Sequence, residues 1–168
     1  MVTQDKNLSS LTSEISRSNT LINQKKFQEA EKCLRNVLSE SPSFVPALFN
    51  LGTLQTRGGR DEEALRLFTR VLKMEADAID ALNEIGLIHY RAGRFSSAET
   101  SFRDALCFDE NDARVLNNLG VICFVQERYS EAEYLFDRAA AIDPDSEDYR
   151  INLHDTREEL HKKNNEKL

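Results

Sequence analysis

The stretch LFNLGTLQTRGGRDEEALRLF, from Leu48 to Phe68, decides the fold because close variants of it recur along the chain. It returns 34 residues later as LNEIGLIHYRAGRFSSAETSF, and again as LNNLGVICFVQERYSEAEYLF, from Leu116 to Phe136. A more divergent copy, EISRSNTLINQKKFQEAEKCL, begins at Glu14. A fixed period of this length indicates a repeat architecture, in which each copy is one structural unit.

Each copy contains two helical patterns of about 14 residues joined by a short turn. Apolar and small residues recur three and four positions apart, which places them on one face of a helix. In the first pattern these positions are Leu48, Leu51, Gly52 and Gln55; Leu82, Ile85, Gly86 and His89; and Leu116, Leu119, Gly120 and Cys123. In the second they are Ala30 with Leu34, Ala64 with Phe68, Ala98 with Phe102, and Ala132 with Phe136. The sequence therefore predicts four antiparallel helix pairs.

Three glycines occupy the same place in the middle of the first helix of their pairs: Gly52, Gly86 and Gly120. Glycine inside a helix costs about 1 kcal/mol relative to alanine, so packing has to recover that loss. We expect the missing side chains to let the second helix of each pair approach closely, against Ala64, Ala98 and Ala132.

This combination of residues resembles the tetratricopeptide repeat family, whose period is also 34 residues. The residues that carry the resemblance are Leu51-Gly52, Ala64 and Phe68; Ile85-Gly86, Tyr90, Ala98 and Phe102; and Leu119-Gly120, Ala132, Phe136 and Pro144. The match covers about four fifths of the chain in uninterrupted register. The resemblance implies an all-α fold, a right-handed superhelical solenoid of antiparallel helix pairs.

The repeat boundaries follow from this register. We predict an N-terminal extension over 1–10, four repeats over 11–44, 45–78, 79–112 and 113–146, and a C-terminal capping helix with a frayed tail over 147–168. Terminal units of a solenoid need a polar outer face. In the first repeat Ser18 replaces the glycine, and Glu14 and Arg17 replace leucine or isoleucine, which predicts such a face.

The last helix has one stripe that can pack on the fourth repeat, formed by Tyr149, Leu153, Thr156 and Leu160. Its opposite side carries Arg157, Glu158, Lys162 and Lys163, and we expect fraying from about Lys163. A cap is the favoured interpretation. The alternative is half of a fifth repeat used for self-association, so that a homo-oligomer would form through the terminal helices.

Charge, apolar runs and cysteine usage argue against several classes of function and location. The net charge of −7 argues against a nucleic-acid partner, because such domains carry a basic stripe. No apolar run approaches the roughly 18 residues of a membrane span, and the opening MVTQDKNLSS lacks the apolar core of a secretory signal. We therefore expect a cytoplasmic protein without membrane insertion. Cys33, Cys107 and Cys123 fit neither a disulfide framework nor a zinc site, and buried free thiols are expected.

Catalytic chemistry needs convergent, oriented titratable groups, and the sequence shows none. His89 falls on the face between paired helices, where a core histidine is expected, and His161 stands in a charged tail. No nucleophile–base arrangement, phosphate-binding glycine loop or metal-spaced set of carboxylates stands out. We expect no enzyme, no metal and no cofactor.

The resemblance implies that the first helix of each pair lines an inner groove. The groove residues it assigns are Asn19, Asn23, Phe49, Asn50, Thr53, Arg57, Asn83, Leu87, Tyr90, Arg91, Arg114, Asn117, Asn118, Val121 and Phe124. Aromatic side chains beside arginines are typical of binding hot spots, and arginine binds carboxylates with two parallel hydrogen bonds. We expect the groove to take an extended or helical peptide of another protein, with apolar anchors and an acidic group. The alternative is that Tyr90, Phe124 and Val125 pack under the next repeat.

Two binding devices of the family can be compared with this chain. A ladder of asparagines that bonds the backbone of a peptide would use Asn50, Asn118 and Asn152, but Glu84 interrupts that column. The clamp for the terminal carboxylate of chaperone tails needs basic or amide groups where Ile15 and Asp80, or Phe49 and Glu84, stand here. That class of partner is therefore disfavoured.

The leading prediction is a non-catalytic adaptor that binds a peptide segment of a partner protein. A secretion-type chaperone would instead protect an otherwise insoluble partner. A self-associating structural scaffold would change size with concentration. The sequence leaves these alternatives open, because function in a repeat protein resides in the site and not in the fold.

Overall fold

The structure is a computed structural model that describes the backbone of residues 2–165 and the side chains of residues 8–165. Nine α-helices and no strands occur in that part of the chain. The helices are α1 (Val2–Asn23), α2 (Phe27–Glu40), α3 (Val45–Arg57), α4 (Asp61–Met74), α5 (Ile79–Arg91), α6 (Phe95–Phe108), α7 (Ala113–Val125), α8 (Tyr129–Ile142) and α9 (Glu147–Asn165). The expected all-α solenoid of helix pairs is confirmed.

The chain divides into two compact units, Met1–Ala81 and Leu82–Leu168. In the first unit α1 packs on α2 and α3 on α4, and α2 also contacts α3. In the second unit α7 packs on α8, α6 contacts α7, and α9 lies on α8. Consecutive helices are therefore neighbours within each unit, as short connections require.

The core of each pair is built from the small and large residues that recur in the sequence. Ala30, Ala64, Ala98 and Ala132 are fully buried, and so are the rings of Phe68, Phe102 and Phe136. The prediction that the helical glycines face these alanines is wrong. A Cβ atom on Gly52 would lie 2.8 Å from the ring of Phe68, and one on Gly120 would lie 2.6 Å from the ring of Phe136. Gly86 faces Phe102 in the same way, so the glycines make room for phenyl rings.

The turns inside the helix pairs share one backbone feature. Lys25, Gly59, Gly93 and Glu127 occupy the same position of their repeats and all have positive φ, between 59° and 71°. Glycine adopts this left-handed conformation without a steric penalty, whereas other residues pay about 1–2 kcal/mol. The first and fourth repeats therefore contain a strained residue where the second and third have glycine.

We expect Lys25→Gly to stabilise the protein by about 0.5–1 kcal/mol, because relief of the left-handed strain exceeds the added entropy of the unfolded chain. The reverse change at the equivalent turn, Gly59→Ala, should cost about 1 kcal/mol. Urea denaturation followed by circular dichroism measures both. A loss of stability in Lys25→Gly would contradict the assignment of strain to this turn.

The N-terminal helix begins at Val2, upstream of the predicted start of the first repeat, and Leu11 is buried. Ser18, in the position of the glycines, is fully buried and donates to the carbonyl oxygen of Ile15 (2.7 Å). Glu14 was expected on a polar outer face, but it points toward α2. The Cys33 thiol donates to a Glu14 carboxylate oxygen (2.9 Å).

The last helix packs as expected through its stripe, with Thr156 fully buried and Tyr149, Leu153 and Leu160 half-buried. Two details differ from the prediction. The helix continues through Asn165, past the expected fraying point. Arg157 does not face away from the fourth repeat, because it pairs with Glu133 (2.7 Å) and Asp137 (3.1 Å) of α8.

One position of α9 supports the capping interpretation. His154 stands where the earlier repeats have the glycine that receives a phenyl ring, and its side chain is exposed. A histidine there leaves no room for a second helix to pack as closely as in the preceding pairs. The domain boundaries themselves stay a prediction.

Candidate functional site

A cavity of about 240 Å³ lies between α1 and α3 of the first unit. Six of the predicted groove residues line it: Asn19, Asn23, Phe49, Asn50, Thr53 and Arg57. Ile22 and Leu54 complete the wall. Leu54 was not predicted, because its sequence position indicates a core residue, and it is indeed almost fully buried.

The side chains around this cavity are held by contacts within the unit. Asn50 donates from Nδ2 to Oδ1 of Asn19 (2.9 Å), and the Thr53 hydroxyl donates to the carbonyl oxygen of Phe49 (3.2 Å). The Phe49 ring is half-buried and meets the Phe68 ring edge-on, with centroids 5.4 Å apart. The polar and apolar parts of the wall are therefore fixed before any ligand binds.

Arg57 differs from these residues because its guanidinium is exposed at the last turn of α3. Among the described residues its side chain has no hydrogen bond or ion pair. An arginine in this state can donate several N–H groups to a carboxylate. The cavity thus combines an apolar floor with an available cation at its edge.

Asparagine pairs connect the first helices of successive repeats in the second unit. Asn118 donates to Oδ1 of Asn83 (2.8 Å), and Asn152 donates to Oδ1 of Asn117 (2.8 Å). The predicted ladder residues Asn118 and Asn152 thus bond asparagines of the preceding repeat, and these stand one residue before the ladder position of that repeat. In the first unit that earlier column holds Ile15, and Asn50 bonds Asn19 instead.

Each of these pairs uses one N–H of the donating amide. A primary amide carries two N–H donors and an acceptor oxygen, so the donating asparagine retains capacity for a second partner. Pairing also fixes which edge of the amide points outward. The structure therefore orients the predicted ladder residues without a bound peptide.

The aromatic groove residues of the second unit pack within their own helix pairs. Tyr90 meets Phe95 with ring centroids 6.0 Å apart, and Phe124 meets Tyr129 at 5.3 Å. Each contact joins the end of a first helix to the start of the second helix of the same pair. Phe124 and Tyr90 are half-buried, Val125 is 45% exposed, and Leu87 and Val121 are half-buried.

Two further arginines of the predicted groove, Arg114 and Arg91, lie at opposite ends of their helices. Arg114 holds Asp112 at the N-terminus of α7, with 2.7 Å between Nη2 and Oδ2. Burial acts to raise the pKa of Asp112, but Arg114 and the backbone N–H groups of α7 lower it overall. Arg114 is therefore already engaged with a carboxylate of its own chain. Arg91 lies exposed in the last turn of α5.

The histidine between paired helices has a structural partner. Arg94 donates from Nε to Nδ1 of His89 (2.9 Å), and burial together with the Arg94 charge lowers the pKa of His89. No group of three or more metal-ligating side chains occurs in the part of the chain that the structure describes. None of the helices within 2–165 is long and apolar enough to cross a membrane.

The cysteines correct one prediction. Cys33 and Cys123 are buried, but Cys107 is exposed. Burial raises the pKa of both buried thiols to about 11, and in Cys33 the hydrogen bond to Glu14 adds to this shift. Only the thiolate reacts with disulfide reagents.

We expect the folded protein to react with a disulfide reagent such as Ellman's reagent at pH 8 in two phases. Cys107 should react quickly, because it is exposed. Cys33 and Cys123 should react slowly, because a thiol with a pKa of about 11 is ionised to about one part in a thousand at pH 8. The absorbance of the thiolate that the reagent releases measures how many cysteines have reacted in each phase. Cys107→Ser should remove the fast phase, and rapid reaction of all three thiols would contradict the packing around α2 and α7.

Comparison with known proteins places the chain in a family. A family model for the tetratricopeptide repeat matches residues 62–113 and 83–147, and a second tetratricopeptide repeat model matches residues 21–84. No curated protein matches the chain in sequence.

Solved structures with the same fold are similar to this chain at low identity. PilF of Pseudomonas aeruginosa is 16% identical with a TM-score of 0.84, over 94% of this chain and 72% of PilF. MamA of Desulfovibrio magneticus is 19% identical with a TM-score of 0.78, over 93% of this chain and 89% of MamA. YrrB, described as a tetratricopeptide repeat protein with an unusual peptide-binding site, is 19% identical with a TM-score of 0.70, over 88% of this chain and 76% of YrrB.

The matched residues extend over most of the four helix pairs, and they include the glycines that accommodate the phenyl rings. The helix order and the helix pairing agree with those matches. On these grounds, the chain belongs to the tetratricopeptide repeat family.

Proposed function

We propose that this protein–protein interaction module binds a peptide segment of a partner protein on the surface formed by the first helices of its pairs. Proteins of the family are generally non-catalytic. The observation that carries the proposal is the cavity between α1 and α3, where an apolar floor lies beside the available guanidinium of Arg57. YrrB, with its peptide-binding site, has the same fold.

The cavity supports a specific kind of peptide. Ile22, Phe49 and Leu54 offer apolar surface in a space of about 240 Å³, which suits one anchoring aliphatic or aromatic side chain. An acidic side chain next to the anchor would reach Arg57 and form charge-assisted hydrogen bonds. The amides of Asn19, Asn23 and Asn50 supply donors and acceptors for the peptide backbone.

The second unit would bind the peptide through its own paired amides and half-buried apolar side chains. Asn117 and Asn118 offer the amides, and Leu87, Val121 and Phe124 offer the apolar contacts. Asn83, a predicted groove residue, is buried and would act by orienting Asn118. We propose Tyr90 and Arg91 as additional contacts of this unit. Arg114 is a weaker candidate, because its guanidinium already binds Asp112.

The test is affinity capture from a lysate with the wild-type protein and with Phe49→Ala/Arg57→Ala. Loss of the anchor and the cation should weaken capture of a specific partner at least about tenfold. Arg150→Ala is the matched control, because it removes an exposed arginine of α9 that does not line the cavity. Helicity and thermal melting of the variant should be compared with the wild type, since Phe49 also packs on Phe68. Equal capture by the folded double variant would sink the proposal.

The captured partner also separates an adaptor from the two alternatives. A partner that is soluble and protease-resistant alone indicates an adaptor, whereas one that is protected only in the complex indicates a chaperone. Sedimentation at several concentrations tests the self-associating scaffold. We propose the adaptor role because the cavity suits one defined peptide anchor. The cytoplasmic location stays a separate proposal that rests on the sequence alone.

A further inference from the structure

A second concave surface of the first unit lies on α2 and α4, with Leu51 of α3 also in its lining. It is a cleft of about 420 Å³. Its apolar lining consists of three leucines, Leu38, Leu51 and Leu67. Its polar lining consists of Arg35, Ser39, Glu63, Arg66 and Arg70. None of these residues belongs to the cavity between α1 and α3.

The arginines around this cleft differ in how far their charge is compensated. Arg35 pairs with Glu31 (2.8 Å) and Glu63 (2.7 Å), so its charge is neutralised within the unit. Within the described residues, Arg70 donates to the carbonyl oxygen of Pro42 alone, which carries no formal charge. Arg66 has no hydrogen bond or ion pair among the described residues. Two uncompensated cations therefore stand over a leucine-lined cleft, in a chain whose net charge is −7.

The second unit provides an internal comparison two repeats further along. The same ion-pair frame recurs there, with Arg103 bonded to Glu99 (2.9 Å) and Glu131 (2.6 Å). Tyr134 takes the place of Arg66. Arg138, the counterpart of Arg70, lies over the Tyr134 ring at 5.8 Å.

Arg138 is also more fully engaged than Arg70. It donates to the carbonyl oxygen of Glu110 (2.7 Å) and to Oδ1 of Asn111 (3.0 Å). The ion pairs that border the cleft therefore also form in the second unit, where tyrosine replaces Arg66 and the counterpart of Arg70 is fully engaged. The charge of Arg66 is therefore not needed for packing, and Arg70 is bonded to a single uncharged carbonyl oxygen, which leaves both charges available to a ligand.

We propose that the cleft between α2 and α4 docks an acidic amphipathic segment of a partner protein. A leucine-like side chain of the partner would cover the exposed part of Leu38, since Leu51 and Leu67 are almost completely buried, and its carboxylates would bind Arg66 and Arg70. A guanidinium has five N–H donors, so Arg70 retains donors beyond its bond to Pro42. Arginines around an apolar centre are the composition of a protein-binding surface, whereas a nucleic-acid site would need a broader basic stripe.

The test uses two synthetic 16-residue peptides of about four helical turns. Both carry leucines at helical spacing of three and four, with glutamates flanking them in one peptide and lysines in the other. Fluorescence anisotropy should detect binding of the glutamate peptide to the wild-type protein. Arg66→Ala/Arg70→Ala should weaken that binding at least about tenfold, as expected for the loss of charge-assisted hydrogen bonds. Arg138→Ala is the matched control and should leave the affinity unchanged.

Four results would overturn the proposal. The first is no binding of the glutamate peptide up to about 1 mM, the weakest affinity of interest. The second is equal binding of the lysine peptide or of the double variant. The third is loss of binding in Phe49→Ala/Arg57→Ala, which would place the peptide in the other cavity. The fourth is binding of phosphatidylserine vesicles or inorganic phosphate, dependent on Arg66 and Arg70, without binding of the peptide.

Discussion

Phe102→Ala is expected to lower the free energy of unfolding by about 3–5 kcal/mol, the largest effect of any single truncation considered. The ring is 1% exposed and fills the space over Gly86, between α5 and α6. Truncation removes the transfer free energy of the ring and leaves a cavity that two rigid helices cannot close. Urea denaturation followed by circular dichroism, with the slope compared between variants, measures the change.

The same helix offers a matched control. Phe108, the last residue of α6, is 51% exposed, and Phe108→Ala removes an identical side chain. Its truncation should cost less than about 1 kcal/mol, because the ring is largely in contact with water in both states. Equal losses for the two variants would contradict the packing described here.

Much of this core could be predicted from the sequence, because each repeat solves the same packing problem. The spacing of Ala98 and Phe102 places both on one face of α6, whatever the rest of the chain does. Repetition of that pair in register identifies the inter-helix face more firmly than any single helix could. The helix pairs and their order therefore followed from periodicity, and the solenoid followed from the family resemblance that the repeated residues carry.

The identity of the glycine's neighbour could not be predicted in the same way. Spacing along a helix gives the face on which a residue lies, but not how far its side chain extends across to the paired helix. Side chains in a helix lean toward its N-terminus, so a long ring covers surface one turn away from its own Cα. For that reason the Phe68 ring, and not Ala64, fills the space at Gly52.

The candidate sites were predictable in unequal degree. The sequence named six residues that line one cavity, Phe49 and Arg57 among them, because the family resemblance implies which positions form the inner face of each repeat. Engagement of Arg114 by Asp112 was missed, because it depends on the geometry of the helix N-terminus. The cleft at Arg66 was missed because leucines on α2 and α4 fit a core pattern and exposed arginines fit a solvated face.

Gly52→Leu is expected to lower the free energy of unfolding by about 2–3 kcal/mol, at the upper end of typical overpacking. Already the first added atom, Cβ, would lie 2.8 Å from the Phe68 ring, which is itself fully buried and held edge-on by Phe49. The rest of a leucine side chain has no space on that face, so α3 and α4 must separate or the ring must leave its position. Urea denaturation measures the loss, and near-ultraviolet circular dichroism reports the aromatic packing.

A glycine six residues further along provides the control, because it differs from Gly52 only in its surroundings. Gly58 is exposed at the end of α3 with φ of −84°, and a Cβ there would meet its nearest neighbour at 3.4 Å. Gly58→Ala should therefore be neutral or stabilising by up to about 1 kcal/mol, through the reduced entropy of the unfolded chain. If Gly52→Leu proved as harmless as Gly58→Ala, α3 and α4 would tolerate a wider separation than the contact between Gly52 and the Phe68 ring indicates. In that case the recurring glycine would have to be explained by something other than space for that ring.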